Sequence, residues 1–304
     1  MKRRKFIQKT AASTALLSLS GLGLSSCVQS KTTKITILHT NDVHSHIEAF
    51  GPNDGKNANK GGVARRATLV ESIRNENPNT LLLDAGDIFQ GTPYFNFYGG
   101  ELEFKLMSML KYDVATIGNH DFDNGIDGLY AQLPHAKFDF VSANYEFSNT
   151  LMDSHVKPYK TFIKEGVKIG VFGLGIELEG LVNKDAYQET EYLDPIEIAQ
   201  DMSRVLKDEE HCDLVICLSH LGYEYKNLSS KISDLNLAKA TKGIDLIIGG
   251  HTHTFLDKPT EVTNSEGKTV LVNQVGCFGL YLGKIDFYFE AKMLRGSESD
   301  TLSV

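Results

Sequence analysis

Leu81-Leu82-Leu83-Asp84-Ala85-Gly86-Asp87 is an apolar run that ends in two carboxylates around a glycine turn. An unbroken apolar run marks a strand covered on both faces. Gly86 permits a sharp turn and lets the backbone approach a ligand closely. Two acids so near a core strand repel each other without a cation to compensate. Asp87 has the two oxygens needed to bridge a pair of cations. Asp84 reads instead as structural, accepting hydrogen bonds within the turn.

Working outward, the same plan of strand, loop and helix repeats. Strands are predicted over 35–38, 80–83, 114–117, 138–142, 168–174, 214–218, 246–248, 269–275 and 284–289. Helical periodicity appears over 63–74, 101–110, 195–206 and 231–241, with a weaker start near Asp127. Asp194 followed by Pro195 is a helix-start signature, and Gly243 marks a helix end. Alternating strands and helices imply an α/β architecture. The short glycine-rich turn between 269–275 and 284–289 predicts a hairpin, and hence a mixed sheet. A domain over 34–291 follows, with a polar tail, 292–304, expected to fray.

Four other strand ends carry metal-ligating side chains. Asn41-Asp42-Val43-His44 places a carboxylate and an imidazole two residues apart, a spacing that points both the same way in extended chain. In Gly118-Asn119-His120-Asp121-Phe122-Asp123, the Asn119 amide oxygen can ligate without adding charge. His120 and Asp123 are three apart and meet in a helical turn, which fixes the imidazole tautomer and raises its basicity. Ser219-His220 and Gly250-His251-Thr252-His253 complete the series. Any one of these is a weak signal; the whole series reads as a site for two divalent first-row ions. Mn, Zn, Fe and Co suit Asp, Asn and His ligands about equally.

Bulk properties narrow the function. The chain has 304 residues, 41% of them hydrophobic, and a formal net charge of -8. That charge argues against general nucleic-acid or duplex binding, which needs a basic face. It does not exclude an anionic substrate, because bound cations invert the local field.

Residues 1–27 are set aside from the fold. Lys2-Arg3-Arg4-Lys5-Phe6 resembles a twin-arginine export signal, followed by an apolar stretch. Leu24-Ser25-Ser26-Cys27 resembles a lipoprotein processing site, so Cys27 is the expected lipidation site and 28–33 a tether. The expectation is an exported chain held at a membrane in the periplasm or cell envelope. Cys212, Cys217 and Cys277 are expected as free buried thiols, since twin-arginine cargo folds before export in a reducing compartment, and none has metal-binding spacing.

Taken together, the segments resemble, in order and spacing, the calcineurin-like metallophosphoesterases. More specifically, they resemble the N-terminal domain of bacterial 5′-nucleotidases and UDP-sugar hydrolases. Ile37-Leu38-His39-Thr40-Asn41-Asp42-Val43-His44, Phe89-Gln90-Gly91-Thr92-Pro93 and Gly250-His251-Thr252-His253 carry it, and the match runs from about Lys34 to Phe289. The resemblance implies a four-layer α/β/β/α sandwich with mixed sheets and the site at the carboxyl ends of the strands. It implies Asp42, His44, Asp87 and His253 around one metal, and Asp87, Asn119, His220 and His251 around the second. His120, oriented by Asp123, would contact the phosphate. The implied reaction is hydrolysis of phosphomonoesters, 5′-nucleotides foremost, by a metal-activated hydroxide. The alternatives are a 2′,3′-cyclic nucleotide phosphodiesterase and a metal-binding subunit that needs a partner. Nucleotide-cleaving relatives carry a second, base-stacking domain. Here a separate chain is the expected source of that half, unless the substrate is not a nucleotide.

Other residues read as ordinary. Of Arg65 and Arg66, at least one is expected to be solvated. His46, His135, His155 and His211 read as surface residues, and His39 as possible support for the site. Tyr94, Phe95, Phe97 and Tyr98 read as core packing.

Overall fold

The computed structural model describes residues 32–228 and 231–304. The predicted export and lipidation signals, including Cys27, and most of the tether lie outside the described residues. In chain order the strands are β1 (Thr33–Thr40), β2 (Thr80–Asp84), β3 (Val114–Ala115), β4 (Asp139–Phe140), β5 (Tyr145–Glu146), β6 (Tyr159–Lys164) and β7 (Val167–Leu174). They continue with β8 (Glu191–Tyr192), β9 (Leu214–Ser219), β10 (Leu246–Gly249), β11 (Thr260–Thr263), β12 (Thr269–Asn273), β13 (Tyr281–Glu290) and β14 (Met293–Ser303). The helices are α1 (Val63–Glu76), α2 (Pro93–Tyr98), α3 (Glu101–Met109), α4 (Gly125–Gln132), α5 (Lys184–Tyr187), α6 (Pro195–Arg204) and α7 (Asp234–Ala240).

Two six-stranded mixed sheets result, ordered β14-β13-β1-β2-β3-β4 and β11-β12-β10-β9-β7-β6. Side-chain alternation along each strand sorts the apolar residues into three layers. Ile35, Ile37, Leu81 and Leu83 of the first sheet meet Val171, Ile216 and Ile248 of the second between the sheets. Leu38 and Leu82 point the other way, against Val70 and Ile73 of α1 and Phe104 of α3. Phe172, Val215 and Cys217 face Ala199 of α6 and Leu237 of α7. Strands with apolar residues on both faces are what a sheet needs when each face is covered, and this is the expected four-layer sandwich.

Local chemistry sets the helix ends. Asp194 accepts hydrogen bonds from the amides of Ile196 (2.8 Å) and Glu197 (2.9 Å), and Pro195 opens α6. Ser233 caps α7, so that helix starts three residues later than the periodicity predicts.

Two expectations are corrected. The predicted hairpin does not form, because β12 and β13 belong to different sheets. The connecting turn crosses between the sheets instead: Gly276 N donates to Thr254 O (2.9 Å) and Phe278 N to Asp42 O (2.7 Å). The tail 292–304 does not fray. Its residues 293–303 form β14, antiparallel to β13 from Glu290↔Met293 to Tyr281↔Ser303. An edge strand needs only a backbone ladder, so polar side chains are no obstacle. Val304 then anchors the end, its N donating to Leu280 O (3.0 Å) and its O accepting from Gly61 N (2.7 Å).

Candidate metal centre

The site lies where the carboxyl ends of both sheets meet. Its loops are tight: Asp42, His44, Asp87, His251 and His253 all have φ between 50° and 70°. Asp42 and His44 therefore do not converge by the alternation of an extended strand. They converge through left-handed turns, a strained conformation that clusters at functional sites. Backbone hydrogen bonds hold them there, with Asp42 N donating to Gly86 O (2.9 Å) and His44 N to Asp87 O (3.0 Å).

Among the described residues, two groups have ligand atoms close enough to share an ion: Asp42, His44 and His253, and Asp87, His220 and His251. Asp87 Oδ2 stands between them, 3.1 Å from His220 Nε2 and 3.8 Å from His44 Nε2. Asn119 joins the second group, its Oδ1 lying 2.8 Å from His251 Nδ1. All seven ligands inferred from the sequence are thus brought together.

The donor set fits cations. His220 Nδ1 lies 2.7 Å from Ala85 O, which can only accept, so Nδ1 keeps its proton and Nε2 is the nitrogen left to ligate once the ring is neutral. That Nε2 is fully buried and makes no aligned hydrogen bond, although Asp87 Oδ2 is near. His44 Nδ1 likewise donates to Phe89 O (3.2 Å), leaving Nε2 facing His253 Nε2 at 3.0 Å. Two imidazole nitrogens and a carboxylate aimed at one point repel unless a proton or a metal ion lies among them.

The titration of these groups carries the same message. Burial pulls His220 down, but the Asp87 carboxylate more than reverses it, to about 10. Burial pushes Asp87 up, yet the His220 charge wins and holds it well below the usual carboxylate range. A hydrogen bond to Asp42, then one to Cys277, raises His253 to about 10. Burial and the His220 charge lower His251 to about 4. Without metal, the pocket collects protons where ions would bind.

His120 sits at the rim, in a 3-10 turn. Its Nδ1 is 2.9 Å from Asp123 Oδ2, and that hydrogen bond raises its pKa. His120 N donates to Asp87 Oδ1 (2.8 Å), which ties the rim to the floor of the site.

A scan of protein families matches residues 35–255 to the calcineurin-like phosphoesterases. The chain belongs to that family. It is 34% identical over 302 residues to the trifunctional nucleotide phosphoesterase YfkN of Bacillus subtilis, covering 89% of this chain and 19% of that one. It is 36% identical over 290 residues to the human 5′-nucleotidase, covering 85% of this chain and 47% of that one. The crystal structure of a 5′-nucleotidase precursor from Thermus thermophilus superposes with a TM-score of 0.81 at 35% identity, over 90% of this chain and 55% of that one. The chain thus spans about half the length, or less, of these relatives.

Within this family member, several residues hold the site in ways the sequence did not disclose. Asp121 had no assigned role. Its buried carboxylate accepts from the amides of Gly118 (2.8 Å), Ile88 (2.9 Å), Asp87 (3.1 Å) and Phe89 (3.1 Å). It therefore shapes the turn that presents Asp87. Asn41 ties β1 to the other sheet, accepting from Val275 N (3.0 Å) and donating to Gly276 O (2.7 Å). Asp84 is structural as expected, accepting from Gly86 N (3.0 Å) and Thr40 Oγ1 (2.5 Å).

His46 is not a free surface residue. It stacks on Phe50 and reaches the His44 carbonyl (2.9 Å). His39 is buried 2.9 Å from Asn273 Nδ2, within the seam between the sheets. Arg65 is exposed, as expected for one of the pair, and Arg66 is buried. Only Phe95 of the aromatic group packs in the core; Phe97 and Tyr98 are 83% and 53% exposed. Cys212, Cys217 and Cys277 are free.

Proposed function

We propose that this chain is a binuclear-metal phosphoesterase that hydrolyses phosphomonoesters, with 5′-nucleotides as the leading substrate class. The observation that carries the reading is the position of Asp87, whose Oδ2 faces both histidine groups at 3.1 Å and 3.8 Å. Asp42, His44 and His253 would hold one ion, and Asp87, Asn119, His220 and His251 the other. Such a pair of ions, when bound, lowers the pKa of water and neutralises phosphoryl oxygens. The chain's own contribution is positional. Asp87 and Asn119 fix the spacing, while His120, its pKa raised by the hydrogen bond to Asp123, is placed to offer a proton to the phosphate. The names of the relatives support nucleotides as substrates.

Metal analysis of the purified protein, followed by p-nitrophenyl phosphate, its bis ester, AMP and 2′,3′-cyclic AMP, tests the reading. Two ions per chain and turnover of the monoesters support it; turnover of diesters alone would reassign the chain as a phosphodiesterase. Strong preference for AMP by this chain alone would remove any need for a separate nucleoside-reading partner.

Export and lipid anchoring at Cys27 belong to the same proposal, supported by Arg3-Arg4 and Leu24-Ser25-Ser26-Cys27. Membrane fractionation of wild type and Cys27→Ser checks them; equal membrane association would refute lipidation.

A further inference from the structure

The turn that crosses between the sheets carries a bulky residue in a conformation that suits glycine. Phe278 has φ 62°, between Gly276 at 77° and Gly279 at 62°. A glycine at 278 would adopt this turn without strain, so the fold alone does not call for a phenyl ring. The position is nevertheless tightly fixed. Phe278 N donates to Asp42 O (2.7 Å), and a side chain at Gly279 would strike the buried Arg66 guanidinium.

The ring is only half-buried, and it lies beside the site. Its centroid lies 6.0 Å from that of His44 and 5.9 Å from that of His253, the two imidazoles of the first metal group. His46 backs it at 4.2 Å, and Phe50 closes the triangle 6.2 Å from Phe278. His120 reaches the same His44 ring, at 5.3 Å. The first metal group therefore has both His120 and the Phe278 ring beside it.

We propose that Phe278 is a specificity-determining residue. It forms a wall against which the leaving group of the phosphoester packs, favouring leaving groups that carry a ring over those that carry none. The inference rests on the phosphoesterase reading above and adds the selection of the leaving group. Aromatic faces favour offset or edge-on packing of another ring, so the preference is for shape as well as apolarity.

The test compares phenyl phosphate with methyl phosphate as substrates, and phenylphosphonate with methylphosphonate as ligands in calorimetry. Wild type and F278A are used as full, metal-loaded chains. F278A is expected to lower kcat/KM for phenyl phosphate about fivefold more than for methyl phosphate, and to weaken phenylphosphonate binding by a similar margin. F278Y, which keeps the flat face, should retain the wild-type ratio. If F278A does not fold, F278L keeps the bulk without the flat face and carries the same expectation. Parallel changes for both substrates and both ligands would overturn the assignment. Wild type inert on both esters would overturn the phosphoesterase reading, whereas the phosphonate comparison would still decide the role of the ring.

Discussion

Gly118 offers the sharpest test of how the site is built. It is not in the left-handed region, so alanine there meets no left-handed strain and the leading effect is steric. A Cβ at this position would lie 2.5 Å from Asp87 N and 2.8 Å from Asp87 Cγ, and closer still to Oδ1. Ordinary van der Waals contact begins at 3.4 Å. Asp87 or the Gly118 backbone must therefore shift by roughly 1 Å, a misplacement that costs about 100-fold where reacting groups are aligned. The same carboxylate accepts from His120 N (2.8 Å), so the proton donor moves with it. Gly118→Ala is expected to lose at least one ion per chain and about 100-fold in kcat on p-nitrophenyl phosphate. Overpacking should also destabilise the fold by about 1–3 kcal/mol. Metal analysis, steady-state kinetics and a urea melt measure the three. A variant with both ions and kcat within about threefold of wild type would show that Asp87 does not join the two groups.

Further expectations follow from the same geometry. Replacing His120 with Asn should lower kcat by about 100- to 10,000-fold with metal content retained, and an unchanged rate would remove it from the mechanism. Asp123→Asn keeps an acceptor but removes the carboxylate charge that strengthens the hydrogen bond raising the His120 pKa, so the alkaline limb of the kcat–pH profile should move to lower pH. His220 and His253 are raised to about 10 and must be neutral to ligate. Metal uptake at pH 7 should release about two protons and strengthen as pH rises, which calorimetry in buffers of different ionisation heat will show. In chelator-treated protein the same two groups stabilise the fold fully below about pH 6.5 and lose that effect as pH rises through 10, so thermal melts should fall towards alkaline pH. Ile216→Ala, between the sheets, should cost about 2–5 kcal/mol in a urea melt.

Much of this architecture is legible in the sequence because apolar runs record burial on both faces. The runs at 80–83, 214–218 and 246–248 each became a strand ending in a ligand loop. The ligands themselves are legible because Asp, Asn and His at strand ends have few other reasons to recur. What failed was what depends on the third dimension. The hairpin after β12 was inferred from a short turn, but Asn41 and Asp42 hold that turn across the seam, and local pattern does not encode a partner so far away along the chain. β14 was missed because its ladder uses backbone atoms, which leave no trace in its polar side chains. Asp121 gave no signal either, since four amides converge on it only after β2 and β3 are adjacent. Phe278 is one aromatic among sixteen phenylalanines, and only its φ and its neighbours single it out.

Each group of ligands draws on both sheets. Asp42 and His44 follow β1 while His253 follows β10, and Asp87 follows β2 while His220 and His251 follow β9 and β10. Neither half of the sandwich supplies a whole group by itself, so an ion captured here acts as a stitch across the two. Its binding energy is credited to the union of the halves, and a chain with one sheet misassembled would stay empty. Loading thus doubles as an inspection that only a completely assembled molecule passes.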